Sequence, residues 1–236
     1  VMQRAISRFI RVLRPRRLVA LAAAAAVLGT GVAFAASLGV SSGDLTTYTV
    51  ATTVPISSCT VTASGDTYAD QSTLNAGGNF GTNTTMLVES SQALGLGTNK
   101  RSFVKFDLSS CSIPASAQIV SSTLNLYLST APTAARTYDA YRVTASWAET
   151  SLTWNNQPSV AASATSSIGT GTTSGTTLSW NVASDVQSFV SGSATNNGWL
   201  IRDSSESSST TRRGTFATRE TGTASQRPSL AITYYR

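Results

Sequence analysis

Histidine is absent from this 236-residue chain, and charged residues make up only 12% of it. The missing imidazole excludes Ser-His-Asp machinery and histidine-ligated metal centres. Cysteine is nearly missing too: Cys59 and Cys111 are the only two, too few for a zinc site without histidine. Lysine is confined to Lys100 and Lys105. The glycine-rich "GTGTTSG" at 169–175 has no lysine after it, so it is a flexible loop and not a phosphate cradle. The formal net charge of +6 does not spread over the body. Arg4, Arg8, Arg11, Arg14, Arg16 and Arg17 lie in the first seventeen residues, where there is no acid, and from Ala36 onward 11 basic residues meet 11 acidic ones. A neutral body lacks the electrostatic footprint that nucleic acid demands.

What is present begins with that basic block. Apolar "LVALAAAAAVLGTGVAFAA" follows it and ends in an A-x-A pattern at Ala33-Phe34-Ala35. This is the layout of a signal peptide over residues 1–35, cut before Ala36. Its rival is a retained membrane anchor, because Leu18 to Val40 reaches the roughly 20 residues that a span needs. Either reading places the body outside the cytosol, secreted or at the cell surface. An oxidising compartment permits a Cys59–Cys111 bridge, which would stabilise by about 4 kcal/mol through loop closure.

Residues 36–64 are rich in Ser and Thr and read as an arm, leaving 65–236 as one domain. There the pattern is that of strands. In "STLNLYLS", Leu124, Leu126 and Leu128 share a face, and in "SFVKFDL" so do Val104, Phe106 and Leu108. "YRVTASW" sets Tyr141, Val143, Ala145 and Trp147 on one side, and "SLAITYY" sets Leu230, Ile232 and Tyr234. "GWLIRD" is a further short strand. In "NVASDVQSFVSG", Val182, Val186, Phe189 and Val190 recur at helical spacing before Gly192, which predicts one short helix. Short strands divided by Gly, Ser, Thr, Asn and Pro predict an all-β fold, a jelly-roll-type antiparallel β-sandwich.

Two stretches invite a functional reading. "ETSLTWNNQPS", 149–159, is either a ligand platform or a loop pinned to its scaffold by Trp154. Pinning is favoured: Asn155, Asn156 and Gln157 can tie turn backbone groups that would otherwise stay unpaired. Trp180 and Trp199 read as core. The second stretch, 201–220, gathers Arg202, Asp203, Glu206, Arg212, Arg213, Arg219 and Glu220 around a Ser-rich loop. Arginines fork onto acidic sugars and carboxylates hold calcium, but Arg219 and Glu220 read first as a charge pair at a strand end.

Taken in order, "DTYAD", "NFGTNTTMLVES", "KRSFVKFDLSSCSIPASAQIVSSTLNLYL", "YRVTASWAETSLTWNNQP", "LSWNVASDVQSFVSG", "GWLIRDSSES", "TFATRE" and "RPSLAITY" resemble the DNRLRE domain, the group that includes carbohydrate-binding module family 96. The resemblance spans about Asp66 to Tyr235. It implies a jelly-roll sandwich on secreted or surface bacterial proteins, some of which bind polysaccharides. Within that pattern the tryptophan-rich loop belongs to the shared scaffold.

The expectation is thus a non-catalytic, exported module that binds polysaccharide or cell-wall glycan through Lys100, Arg101, Arg142, Arg202 and Arg212. Calcium would sit on Asp66, Asp203 and Glu206. The alternative is a structural surface or matrix protein that associates with copies of itself. A hydrolase is the least favoured reading, since the acids show no paired pattern.

Overall fold

The structure, a computed structural model, describes residues 55–93 and 96–236. The expected signal or anchor segment, 1–35, and most of the expected arm lie outside the described residues. The strands in chain order are β1 (Ile56–Asp70), β2 (Thr85–Ser90), β3 (Gln92–Ala93), β4 (Leu96–Gly97), β5 (Lys100–Phe106), β6 (Gln118–Thr130), β7 (Thr137–Arg142), β8 (Ser166–Gly169), β9 (Thr176–Asn181), β10 (Trp199–Asp203), β11 (Arg212–Ala217) and β12 (Ser229–Tyr235). One α-helix among the described residues, α1 (Ala183–Val190), lies between β9 and β10. Because β1 starts at Ile56, the sheet takes in residues before the domain boundary at 65 that composition alone indicated.

The pairing is antiparallel throughout the main sheet, and six strands close on themselves in the order β1-β12-β6-β11-β2-β5 and back to β1. Strands β10, β7 and β8 extend from β5, and β9 from β6. The expected all-β, antiparallel, one-helix character is present, and the sheet is barrel-like. Alternation in sequence cannot tell two facing layers from one sheet rolled up, since both bury every second residue.

Closure depends on two long strands that change partner. Residues Ile56 to Thr62 of β1 pair with β12. A register shift between Ala63 and Gly65 then turns the strand onto β5. Such irregularities bend a strand and increase its twist, as a closing sheet requires. In the same way β6 pairs with β12 along its first part and with β11 at Leu128 and Thr130.

The interior follows the parity read from the sequence. Leu124, Leu126, Leu128, Val104, Phe106, Leu230, Ile232 and Tyr234 are all buried in one cluster with Trp180 and Trp199. Both indoles also satisfy their N–H groups. Trp180 donates to the Tyr138 carbonyl at 2.9 Å and Trp199 to Asp185 Oδ2 at 2.8 Å. In α1, Val186 is buried, Phe189 lies 5.5 Å from the Trp199 ring, and Gly192 ends the helix at φ +75°. Cys59 of β1 is bonded to Cys111 in the turn after β5.

One strand is shorter than its alternation predicts. β7 stops at Arg142, Val143 makes a single bridge to Val160, and the chain leaves as a loop from 144 to 159. Trp147 therefore does not continue an inward strand face. It packs from outside against a second apolar cluster, Ala69, Phe103, Val143, Leu152 and Leu200.

Candidate functional site

Strand parity builds the candidate surface. In β5, Val104 and Phe106 point into the main core, so Arg101, Phe103 and Lys105 point outward. In β10, Trp199 and Ile201 are inward, which turns Leu200 and Arg202 outward. In β7, Tyr138 and Ala140 are inward, leaving Asp139 and Tyr141 on the outer face. The register that sets Leu200 opposite Phe103 and Ile201 opposite Ser102 brings Arg202 beside Arg101.

The 144–159 loop lies over the apolar middle of this face. Thr153 and Asn156 form a capping box around the short 3₁₀ turn Trp154–Asn156. Asn156 Nδ2 donates to the Ser151 carbonyl at 2.9 Å, and Gln157 Nε2 to that of Trp154 at 3.0 Å. Asn79 reaches across from another loop and donates to the carbonyls of Glu149 and Leu152, at 2.7 and 2.8 Å. Trp154 and Trp147 pack onto the second cluster, and the Trp147 indole donates to the Asn197 carbonyl at 2.8 Å. Trp154 is thus a pin, and it also serves as a support.

Three cations rest on three rings along this face. The Arg101 guanidinium lies 4.6 Å from the Trp154 ring centre, the Lys105 ammonium 4.6 Å from that of Trp147, and the Arg202 guanidinium 4.4 Å from that of Tyr141. Stacking of this kind holds a cation in place and leaves its outer donors free for a ligand. Arg101 is further fixed by both Glu206 oxygens, each at 2.7 Å, and by Gln157 at 3.3 Å. Arg202 donates to the Tyr141 hydroxyl at 2.9 Å, while its buried Nε has no acceptor among the described residues. Beside Trp147 is a shallow depression of about 390 Å³, lined by Ser146, Trp147, Ala148, Ser151, Leu152 and Asn156.

Two of the five basic residues expected to bind sugar, Arg101 and Arg202, meet on this face. The other three do not join them. Lys100 shares the parity of Val104 and Phe106, so it is turned inward. Its ammonium lies 3.0 Å from Glu89 and 3.7 Å from Asp70, and both carboxylates are buried. Arg142 ends β7 with Nε 3.3 Å from Asp185. Arg212 begins β11 and donates to the Thr133 hydroxyl at 2.8 Å.

The expected calcium trio is also split. Asp203, buried, takes a two-pronged contact from Arg136 at 2.7 Å on each oxygen, and Glu206 is committed to Arg101. Neither has an oxygen pair to spare for the third. Asp66 instead lies with Glu149 and Glu220, the one acidic trio of metal-binding spacing among the described residues. Arg219 joins Glu149 and Glu220, each at 2.9 Å, so it is held at the end of β11 by charge pairs. Glu149 escaped the sequence reading because only the fold brings it to Asp66.

A family model described as carbohydrate-binding module family 96 matches residues 57–234. No curated protein matches the chain.

Proposed function

Since the chain belongs to carbohydrate-binding module family 96, we propose that it binds a polysaccharide or cell-wall glycan on the outer face of β5, β10 and β7, without catalysing a reaction. The observation that carries the location is the Arg202–Tyr141 pair beside the Arg101–Trp154 pair. Ring-supported guanidinium planes keep their orientation before the ligand arrives, so less freedom is lost per hydrogen bond formed. Their outward N–H groups suit sugar hydroxyls, or a uronic carboxylate in the two-pronged manner. The wall of Trp147 offers an apolar surface to a sugar face, with the Ser146 and Ser151 side chains beside it. Since Glu206 already neutralises Arg101, Arg202 and Lys105 carry the charge this face offers to an acidic sugar.

An exported setting suits this reading, since the Cys59–Cys111 bridge persists in oxidising compartments. No α-helix among the described residues is long and apolar enough to cross a membrane. A glycan array probed with the full chain tests the proposal. Arg202→Ala and Tyr141→Ala are expected to lose the signal while melting within a few degrees of the parent. Undiminished binding by both variants would move the site elsewhere.

A further inference from the structure

At one end of the ring, three carboxylates remote in sequence come together: Asp66 of β1, Glu149 of the 144–159 loop and Glu220 just after β11. Each offers an oxygen within 4.8 Å of the others. One guanidinium joins them, Arg219, whose Nε lies 2.9 Å from both Glu149 Oε1 and Glu220 Oε1. The next cation along β5, Lys105, has its ammonium on the Trp147 carbonyl at 2.9 Å. With all groups ionised, two negative charges in the cluster stay uncompensated.

Hydrogen bonds satisfy part of this cluster. The Arg219 backbone N–H donates to Asp66 Oδ2 at 2.9 Å, and the Asp66 N–H donates to Glu149 Oε1 at 2.8 Å. Two buried oxygens are left over. Asp66 Oδ1 and Glu220 Oε2 are both closed to solvent, and neither meets a donor among the described residues. Asp66 is only 1% exposed. A buried carboxylate oxygen without a partner is costly and calls for an explanation. Burial first, then the Glu220 and Glu149 charges, push the Asp66 carboxyl up to about 7 against the opposing pull of Arg219.

The surroundings hold Glu149 in place. Its carbonyl accepts from Asn79. A Cβ at Gly81 would collide with the same carbonyl and stand 2.8 Å from Glu149 Cγ, so glycine is the residue that fits there. From this geometry we propose that Asp66, Glu149 and Glu220 hold a calcium-like divalent cation that ties the 144–159 loop to β1 and to the end of β11.

The donors are all hard oxygens, which suit calcium or magnesium over softer metals. Two ligands of one calcium stand at most roughly 4.6–5.2 Å apart, and these oxygens, all within 4.8 Å of one another, fall inside that limit. Calcium also accepts an irregular shell completed by water, whereas magnesium demands a near-ideal octahedron and gives up its own water reluctantly. Cation binding itself does not depend on the glycan reading. Its consequence does: the tied loop carries Trp147 and Trp154, which frame the proposed sugar face.

The test is calorimetric titration of the chelator-treated full chain with calcium chloride, and in parallel magnesium chloride, with no glycan present. The parent is expected to bind one calcium with Kd no weaker than the millimolar range of extracellular modules, about 10⁻³ M. Its melting temperature should rise with calcium concentration, as linkage requires. Calcium should also slow amide exchange in the 147–157 segment. Glu220→Gln should weaken calcium binding at least tenfold, and Asp66→Asn should do the same. Glu220 is the most exposed member, with 22% of its side chain accessible against 15% for Glu149, so its variant decides the matter if Asp66→Asn does not fold. A folded parent that gives neither heat nor a melting shift at about 10 mM calcium, ten times the upper Kd, would overturn the proposal. So would undiminished binding by Glu220→Gln.

Discussion

Replacing Lys100 by methionine removes an ammonium and keeps most of its stem. In the native protein that ammonium lies 3.0 Å from Glu89 and 3.7 Å from Asp70, whose side chains are 3% and 4% exposed. Removing one partner of a buried pair leaves an uncompensated buried charge and costs about 3–5 kcal/mol. Here the loss should fall at the lower end, about 3 kcal/mol, because neither carboxylate is abandoned. Glu89 keeps Arg213, and Asp70 keeps the Ser72 N–H at 2.9 Å and Asn75 Nδ2 at 3.1 Å. With a urea slope of about 2 kcal/mol per molar, the unfolding midpoint should drop by about 1.5 M. Adding Glu89→Gln to Lys100→Met should cost less than the sum of the two single changes, since each removes the other's partner. Glycan binding per folded molecule should not change, because Lys100 faces inward. A stability loss under about 1 kcal/mol would show the pair behaving like an exposed one and would refute the burial argument.

Three further outcomes follow from the same structure. Cys59→Ala with Cys111→Ala should cost about 4 kcal/mol for a loop of 52 residues, read by urea denaturation against the oxidised parent. Gly198→Ala should destabilise by more than about 1 kcal/mol, since φ is +75° and the added Cβ would collide with the Val104 carbonyl and stand 2.6 Å from Lys105 Cα; an unchanged midpoint would contradict it. Trp154→Ala should lower glycan affinity at least tenfold while costing less than the roughly 3–5 kcal/mol of a fully buried tryptophan. In that variant proteolysis should reach the 146–157 segment faster, because the side chain both pins the loop and supports Arg101.

The strands were legible because parity is a strong signal wherever one face is dry. Leu124, Leu126 and Leu128 are buried as their spacing requires. Parity also held information that charge obscured. Lys100 alternates with Val104 and Phe106, and Asp203 with Trp199 and Ile201, so both belong inside; the usual cost of burying a charge made an outward reading natural. Two features lay beyond local pattern. The run from Tyr141 to Trp147 alternates like a strand, yet no neighbour continues the ladder past the bridge at Val143, and apolar contact from outside holds Trp147 instead. Asp66, Glu149 and Glu220 have no mutual spacing that a motif could carry. They meet because β1 bends onto β5 and β11 ends at the same rim. The resemblance to a carbohydrate-binding family gave the class of ligand, while the face that would receive it needed the register between β5 and β10.

Hydroxyl-radical footprinting of the full chain, with and without a saturating polysaccharide chosen from the array, tests the binding face most directly. The account predicts that Tyr141, Trp147 and Trp154 lose reactivity together, while Tyr127 and Tyr235, on strands β6 and β12, keep theirs. Protection of Tyr127 and Tyr235 with the other three unchanged would contradict it.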